Sequence, residues 1–233
     1  MKIAFLGDLH GNFVATQAME KELRRRGVDE IWFLGDAVGK GPQNVETCDW
    51  VRANCTVCVG GNWDYGIGGK EFPEDGYFWN QLGEARMHWL NTLPREADCW
   101  ISGIHFRLFH GRPVTPLMHV QEDKAVLTRA FHANDTVYTG VIFADSHRAF
   151  LRTLDAGYIL NTGSVGNSIG VAKAHAIILE GEMGSREEAP LSMSILSVPY
   201  DNEAMAEIAR RDDALPHRDS FVREVITGIY SRG

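Results

Sequence analysis

Short apolar runs, each followed by glycine and a polar residue, recur in the first quarter of the chain. They occupy residues 3–6, 31–34 and 55–59, and they precede Gly7-Asp8, Gly35-Asp36 and Gly61-Asn62. Apolar runs of this length bounded by glycine are typical of buried strands. The pattern therefore predicts three strands that each end in a polar turn.

Segments with helical character separate these runs. Residues 13–26 are amphipathic and residues 43–54 also have a helical pattern. A strand, helix, strand order predicts parallel strands joined by right-handed crossovers, so the carboxyl ends of the strands meet at one edge of the sheet. We therefore expect Asp8, His10 and Asp36 at the same edge, where ligands bind in open α/β sheets.

The rest of the chain predicts an insertion and then more strands. An aromatic-rich stretch with a helix at 80–93 is interpreted as a small helical insertion at about 65–100, which either covers the site or packs on the core. Further strands are predicted at 100–102, 105–109, 136–139, 141–143, 158–160, 174–179 and 192–198, with helices at 120–132 and 202–211. Since no linker divides the chain, residues 1–233 are interpreted as a single α/β domain.

Composition and charge narrow the class of protein. The chain has 44% hydrophobic and 23% charged residues, which is ordinary for a globular protein. Its formal net charge of -8 disfavours a nucleic acid or an anionic membrane as partner. No apolar run reaches the roughly 18 residues of a membrane span, and no leader resembling a signal peptide follows Met1. A cytoplasmic location is therefore expected.

The cysteines do not predict a metal or disulfide framework. Four cysteines are too few for a disulfide scaffold in a chain of 233 residues. Cys55 and Cys58 form a C-x-x-C pair, but no second ligand pair stands nearby. Buried strand positions are the favoured interpretation of both.

Carboxylate, amide and imidazole side chains collect at the predicted strand ends. The set comprises Asp8, His10, Asp36, Asn62, His110, Asp145 and His147. Taken singly, each has an ordinary explanation as a helix cap, a turn residue or a packed histidine. Taken together they suit two divalent cations of intermediate hardness, with Asp36 the natural bridging carboxylate.

Ordered motifs give the chain a family resemblance. They are Gly7-Asp8-Leu9-His10-Gly11-Asn12, Gly35-Asp36 with Gly39-Lys40-Gly41-Pro42, Gly61-Asn62-Trp63-Asp64, His110-Gly111, Ala144-Asp145-Ser146-His147 and Asn161-Thr162-Gly163-Ser164-Val165-Gly166. In this order, across residues 3 to about 180, they resemble the calcineurin-like metallophosphoesterases, in the branch of small bacterial and archaeal phosphoesterases. The resemblance implies a four-layer α/β/β/α sandwich.

The resemblance also implies a ligand set and a reaction. One metal would be bound by Asp8, His10, Asp36 and His147, and the other by Asp36, Asn62, His110 and Asp145. Asp36 would bridge the two ions, and Asp36 and Asn62 are the expected catalytic residues. The expected metal is Mn²⁺, with Fe, Zn, Ni or Mg as alternatives. The expected reaction is hydrolysis of a small phosphomonoester or phosphodiester by metal-activated water.

Two positions depart from the family pattern. Asp145 stands where the family commonly has a histidine ligand, which favours harder ions. Trp63 stands where many relatives have a histidine that protonates the leaving group, and an indole cannot transfer protons. Trp63, Arg112 and Arg148 are candidate substrate contacts, with solvated side chains as the alternative for the two arginines.

Two other functions stay open. Because of Trp63 and Asp145, the chain could be a weakly active or inactive binding scaffold, as is the retromer subunit that keeps this fold. The loop from Gly39 to Pro42 also resembles protein phosphatases and dinucleoside tetraphosphate hydrolases, although their Asp-Arg-Gly signature is absent. A small phosphate ester remains the expected partner.

Overall fold

The apolar runs near the start of the chain form adjacent parallel strands in a computed structural model that describes residues 1–232. Strands β1 to β12 span Lys2–Leu6, Glu30–Leu34, Val57–Val59, Glu96–Ile101, Ile104–Phe109, His132–Ala133, Thr136–Val137, Gly140–Phe143, Phe150–Leu154, Gly157–Asn161, Ala174–Glu180 and Ser192–Val198. Helices α1 to α7 span Phe13–Arg25, Asn44–Asn54, Asn62–Gly68, Gly76–Thr92, Lys124–Thr128, Asn202–Arg210 and Arg218–Thr227.

The first sheet has the strand order β12-β11-β1-β2-β3. β1 pairs in parallel with β2, and Phe5 lies opposite Trp32. β3 continues the parallel part, whereas β11 and β12 are antiparallel additions on the other side of β1. The predicted crossover units are therefore confirmed, and the loops after β1, β2 and β3 open at one edge.

The second sheet has the strand order β4-β5-β8-β10-β9. β5, β8 and β10 run parallel to one another, with β4 and β9 as antiparallel edge strands. His110 follows β5, and Asp145 and His147 follow β8. The second sheet therefore also presents polar residues at the carboxyl ends of its parallel strands.

The two sheets pack face to face, and successive residues of β1 point alternately into two different cores. Ile3 and Phe5 of β1 belong to the core between the sheets, whereas Ala4 and Leu6 belong to the core beneath the helices. This alternation follows from the two-residue period of a strand. A third core covers the outer face of the second sheet and includes Phe143. The predicted four-layer arrangement is thereby confirmed.

Several elements differ from their predictions. The helix expected at 120–132 is limited to Lys124–Thr128, because a short 3-10 turn and the hairpin β6-β7 follow it. Asn134 and Asp135 adopt left-handed backbone angles in that hairpin, which ends any helix. α3, β9 and α7 were not predicted. No helix within residues 1–232 combines the length and apolar character needed to cross a membrane.

Cys55 and Cys58 only partly match their prediction as buried strand residues. Cys55 follows the last turn of α2, and Cys58 lies in β3. Both thiols are free and half-buried. Neither belongs to a cluster of metal-ligating side chains within residues 1–232.

Candidate metal centre

The expected ligands lie on strained loops where the two sheets meet. Asp8, His10, Asp36, Asp145 and His147 all have positive φ, between 47° and 64°. Left-handed backbone is uncommon for residues other than glycine and is concentrated at functional sites. Five such residues in a shared site indicate that the fold holds their side chains in place for a purpose other than turn formation.

The motif glycines allow these loops to approach one another closely. A Cβ on Gly61 would lie 2.1 Å from Asp36 Oδ1, and a Cβ on Gly35 would lie 2.6 Å from His110 Nδ1. Neither distance is possible for a real side chain without movement of its neighbour. The glycines therefore fix how closely the ligands from separate strands can converge.

Backbone carbonyls orient the histidines. In each of the three imidazoles Nδ1 contacts a carbonyl oxygen, which can only accept a hydrogen bond, so Nδ1 carries the proton. The acceptors are Val38, Leu34 and Asn167, at 3.1, 2.7 and 2.6 Å from His10, His110 and His147 respectively. Each Nε2 is consequently turned into the site, which is the arrangement of metal-binding histidines.

Two buried carboxylates lie among these imidazoles. Asp8 Oδ1 lies 3.4 Å from His10 Nε2, 3.2 Å from His147 Nε2 and 3.9 Å from His110 Nε2. Asp36 Oδ2 lies 3.6 Å from His10 Nε2 and 3.3 Å from His110 Nε2. Both carboxylates therefore reach imidazoles of two candidate ligand groups.

The ligand atoms form two overlapping groups within residues 1–232. One comprises Asp8, His10 and His147, and the other comprises Asp8, Asp36 and His110, with the atoms of each group within 4.8 Å of one another. Asp8 is common to both, whereas the sequence favoured Asp36 as the shared ligand. Asp36 is a second carboxylate between the groups, because its Oδ2 lies near both His10 Nε2 and His110 Nε2.

Several polar atoms here have no hydrogen-bond partner within residues 1–232. Asp8 Oδ1, Asn62 Oδ1 and His110 Nε2 are all buried and unpaired. His10 Nε2 and His147 Nε2 face each other at 3.1 Å, which requires a proton or a cation between two lone pairs. Because unpaired buried polar atoms are costly, this oxygen and nitrogen set fits divalent cations well.

Burial and mutual charge set the protonation of the site. Burial, together with the ammonium of Lys40, lowers the pKa of His10 to about 3. Burial favours the neutral acids of Asp8 and Asp36, but neighbouring imidazoles outweigh it and lower both pKa values. Burial likewise opposes the charge on His110, yet Asp36 and Asp8 raise its pKa well above the usual value. The carboxylates are thus ionised and ready to bind cations.

Asp64 is a supporting residue to which the sequence reasoning gave no role. Its buried carboxylate accepts hydrogen bonds from the backbone N–H groups of Asp36, Ala37 and Gly61, at 2.7, 2.9 and 3.0 Å. These bonds join the loop after β2 to the loop after β3. The sequence feature that could have identified Asp64 is its position in the motif Gly61-Asn62-Trp63-Asp64, two residues after Asn62.

Asp145 is held by an arginine. Arg112 Nη2 donates to Asp145 Oδ1 at 2.7 Å, and the Arg112 backbone N–H donates to Oδ2 at 3.0 Å. Asp145 Oδ1 also lies 3.9 Å from His110 Nε2, but Asp145 belongs to neither ligand group. The guanidinium therefore offsets the charge that this carboxylate adds, and the role of Asp145 as a metal ligand stays a prediction.

Trp63 stands beside the centre. Its backbone N–H donates to Asp36 Oδ1 at 2.9 Å, and its indole contacts the imidazole of His10 edge-on with centroids 5.9 Å apart. The ring also meets Phe78 edge-on. Trp63 thus combines a backbone contact to a candidate ligand with an apolar wall.

A cavity of about 550 Å³ adjoins the centre. It is lined by Asp36, Lys40, Asn62, Trp63, Gly66, Phe72, Glu74, Asp75, Phe78, Arg112, Leu117, Asp145, Ser146, His147, Ile169, Pro216, His217, Tyr230 and Arg232. Of the predicted substrate contacts, Trp63 and Arg112 line it, whereas Arg148 is exposed and does not. Arg232 was missed because no sequence motif marks it.

Lys40 is a buried cation in the lining of this cavity. Its Nζ is 3.2 Å from His147 Nε2 and donates to Asn167 Oδ1 at 3.1 Å. Burial and the nearby Arg232 guanidinium lower the pKa of Lys40 to about 8. The ammonium is therefore still mostly protonated at neutral pH.

Comparison with known proteins agrees with this geometry. The profile of the calcineurin-like phosphoesterase superfamily domain matches residues 1–184. The uncharacterized protein MJ0912 of Methanocaldococcus jannaschii is 27% identical over 223 residues, which cover 85% of this chain and 88% of the relative.

Solved structures share the whole architecture. A metallophosphoesterase from Sphaerobacter thermophilus superimposes with a TM-score of 0.77 at 25% identity, covering 98% of this chain and 99% of the other. The hypothetical protein PH1004 from Pyrococcus horikoshii OT3 has a TM-score of 0.77 at 19% identity and covers 99% of each chain. The second likeness supports the fold alone.

Proposed function

The chain belongs to the calcineurin-like phosphoesterase superfamily, and from this membership and the geometry of the site we propose that it is a dinuclear metal-dependent phosphoesterase. The proposed substrate is a small phosphomonoester or phosphodiester. Family membership supports a hydrolase in general, and the two-metal reaction is the specific proposal.

One observation carries the proposal. Three imidazoles are locked by carbonyls so that every Nε2 faces the same space as two buried carboxylates. Within residues 1–232, Asp8 Oδ1, Asn62 Oδ1 and His110 Nε2 are left there without hydrogen-bond partners. A protein-binding scaffold has no need for such a costly arrangement, whereas bound cations would satisfy it.

The residues divide into two proposed ligand sets. Asp8, His10 and His147 would hold one cation, and Asp36, Asn62 and His110 would hold the other. Asp8 and Asp36 each reach imidazoles of both sets and would connect them. Bound divalent cations at such a centre supply an acidified water and offset charge on the phosphoryl group.

The chain's own residues would carry the remaining work. Lys40 and Arg112 line the cavity as cations that can donate hydrogen bonds to phosphate oxygens, and Arg112 also holds Asp145. The indole of Trp63 cannot donate a proton to a leaving alkoxide, so we propose a preference for substrates with good leaving groups. The mixed oxygen and nitrogen set suits divalent cations of intermediate hardness, and Mn²⁺ is the metal that we propose.

Metal-free protein supplied with Mn²⁺ and p-nitrophenyl phosphate, or its bis ester, tests the proposal. We expect hydrolysis that Asp36→Asn lowers by about 100-fold or more, since even partners of metal ligands contribute about 10- to 100-fold. Asp155→Asn is the matched control, because this carboxylate is 87% exposed and pairs with Lys124 on the surface. No hydrolysis of either ester, with Asp36→Asn unchanged, would overturn the proposal.

Metal content distinguishes the phosphoesterase from the scaffold alternative. Metal analysis of the purified protein should find stoichiometric ions in a phosphoesterase and none in a scaffold. A panel of phosphopeptides, nucleotides and diadenosine tetraphosphate then tests the narrower alternatives. Cleavage confined to one of those classes would replace the small phosphate ester as the proposed substrate.

A further inference from the structure

A chain of buried polar contacts links the metal centre to the C-terminal arm, which we define as residues 228–232. Lys40 Nζ donates to Asn167 Oδ1 at 3.1 Å, and Asn167 Nδ2 donates to Glu224 Oε2 at 3.1 Å. Arg232 Nε donates to the same Glu224 oxygen at 3.3 Å. Lys40 and Arg232 are therefore placed together by residues far apart in the sequence.

The C-terminal arm is fixed against α7. The backbone N–H of Ser231 donates to Glu224 Oε1 at 3.1 Å, and the Ser231 hydroxyl donates to the carbonyl of Ser220 at 3.0 Å. Glu224 itself is fully buried. These contacts hold Arg232 at the wall of the cavity, where its side chain is only 15% exposed.

The positive charge in this network exceeds its negative charge. Glu224 is the one carboxylate of the four linked residues, and it accepts directly from Arg232 but is joined to Lys40 only through Asn167. The buried Arg232 Nη2 has no acceptor within residues 1–232. Lys40 also contacts His147 Nε2, the atom that a metal would take. Once that lone pair is engaged, Lys40 retains only Asn167 as a partner in a buried position.

We propose that Lys40 and Arg232 form a second anion subsite, so that the preferred substrates carry a second phosphate besides the one that is hydrolysed. The inference rests on the proposed function and narrows its substrate class. The metal centre would bind the scissile phosphate, and the second phosphate would supply the acceptors that the two cations lack. Buried cations with unfilled donor capacity bind phosphate through strong charge-assisted hydrogen bonds.

Paired ligands that differ by one phosphate test the subsite. Fructose 6-phosphate with fructose 1,6-bisphosphate, and 3-phosphoglycerate with 2,3-bisphosphoglycerate, sample two spacings between phosphates. Their dissociation constants are measured on Mn²⁺-loaded protein by intrinsic tryptophan fluorescence, because Trp63 lines the cavity. In at least one pair we expect the bisphosphate to bind about tenfold or more tightly than the monophosphate.

Arg232→Gln should lower that preference about tenfold, and Arg232→Lys should restore part of it because the charge is kept. Arg223→Gln is the matched control, since this substitution removes the same charge from an exposed position of α7. Thermal melting of each variant verifies that the fold is intact. A control that lost the preference equally would overturn the subsite, because net charge alone would then account for it.

Three further outcomes would also overturn the subsite. These are no preference for a bisphosphate in either pair, a preference that Arg232→Gln leaves unchanged, and an equal loss of affinity for both members of a pair. Hydrolysis of p-nitrophenyl phosphate by the same preparation is measured separately. Its failure would refute the phosphoesterase function, whereas the fluorescence titrations judge the subsite.

Discussion

At the scale of single residues, the orientation of the histidines decides what the site can bind. His10, His110 and His147 each give their Nδ1 proton to a backbone carbonyl. Backbone carbonyls cannot change protonation, so the tautomer is fixed by the fold rather than by pH. The Nε2 atoms are thereby held in position before any metal arrives.

Metal binding should release a proton from His110. In the metal-free protein Asp36 and Asp8 outweigh burial and raise the pKa of His110, so its Nε2 is protonated at neutral pH. A metal ion must displace that proton, and its affinity should therefore rise with pH, by about tenfold per pH unit below this pKa. Calorimetric Mn²⁺ titrations in two buffers of different ionisation enthalpy measure the released protons.

The control for this prediction is His110→Asn, which should lower the number of protons released. Equal heats in both buffers would show that no proton leaves and that His110 is neutral beforehand. The raised pKa also has a consequence for stability. Without metal, the contribution of protonated His110 is present at low pH and is lost as pH rises through its folded-state value.

Trp63 should limit hydrolysis of esters with poor leaving groups. Trp63→His supplies a proton donor beside His10 in the lining of the cavity, and general acid catalysis typically contributes about 10² to 10⁴-fold. We expect the rate for glycerol 2-phosphate relative to p-nitrophenyl phosphate to increase about tenfold or more. Nitrophenolate leaves without protonation, so the ratio of the two rates isolates proton donation.

Trp63→Phe is the appropriate comparison. It keeps an aromatic ring against Phe78 but supplies no proton donor, so the ratio of rates should stay as in the natural protein. If the ratio of rates increased equally in Trp63→His and Trp63→Phe, the indole would slow hydrolysis by obstructing the cavity and not by failing to donate a proton.

At the scale of elements, each ligand depends on a strand end and on the glycine beside it. Gly61 precedes α3 and lies against the loop after β2, where its missing side chain leaves room for the carboxylate of Asp36. Gly61 therefore both marks the start of α3 and allows the carboxylate of Asp36 its position in the site.

Gly61→Ala should disrupt the site without unfolding the protein. The new methyl group would lie 2.1 Å from Asp36 Oδ1, so this carboxylate must move. Misplacement by about 1 Å can cost about 100-fold in rate, and we expect a loss of that size together with weaker Mn²⁺ binding. Steady-state kinetics and metal titration measure both effects.

Gly76→Ala provides the control for this substitution. Gly76 begins α4 with ordinary helical backbone angles, and the nearest atom to a new Cβ is 3.9 Å away. This variant should keep its activity and its metal affinity. Unchanged activity in Gly61→Ala would contradict the close approach between the two loops.

At the scale of the whole molecule, the metal centre joins two sheets. The first sheet contributes Asp8, Asp36 and Asn62, and the second contributes His110 and His147. The core between the sheets, which includes Phe5, sets the distance between these two groups of ligands. Bound metal should therefore stabilise the packing of one sheet against the other.

Removal of metal should lower the melting temperature. A ligand present at 100 times its dissociation constant stabilises the folded state by about 2.7 kcal/mol. For a chain of 233 residues this corresponds to a shift of roughly 5 to 10 °C. Melting curves with EDTA, and then with excess Mn²⁺, measure the shift.

Asp36→Asn serves as the reference in these melting experiments, because loss of a candidate ligand should reduce the effect of EDTA. Identical melting temperatures in EDTA and in Mn²⁺ for the natural protein would contradict a metal bound between the sheets.

The sequence by itself determined the parallel strands and the residues at the strand ends, because strand periodicity and short motifs are local properties of the chain. The four-layer fold followed from the family resemblance that the ordered motifs carry. The sequence did not predict α7 or the shortening of the helix expected at 120–132, since tertiary contacts and the Asn134-Asp135 turn set those boundaries. Local pattern therefore indicated which residues approach the site.

Only the tertiary structure decided how the site is completed. The pairing of Arg112 with Asp145, and the link from Lys40 to Arg232, join residues from distant parts of the chain that carry no shared motif. The physical reason is that such contacts depend on which loops the packed sheets bring together. Charge and hydrogen-bond balance in a buried site is a property of the assembled fold, and short stretches of sequence do not encode it.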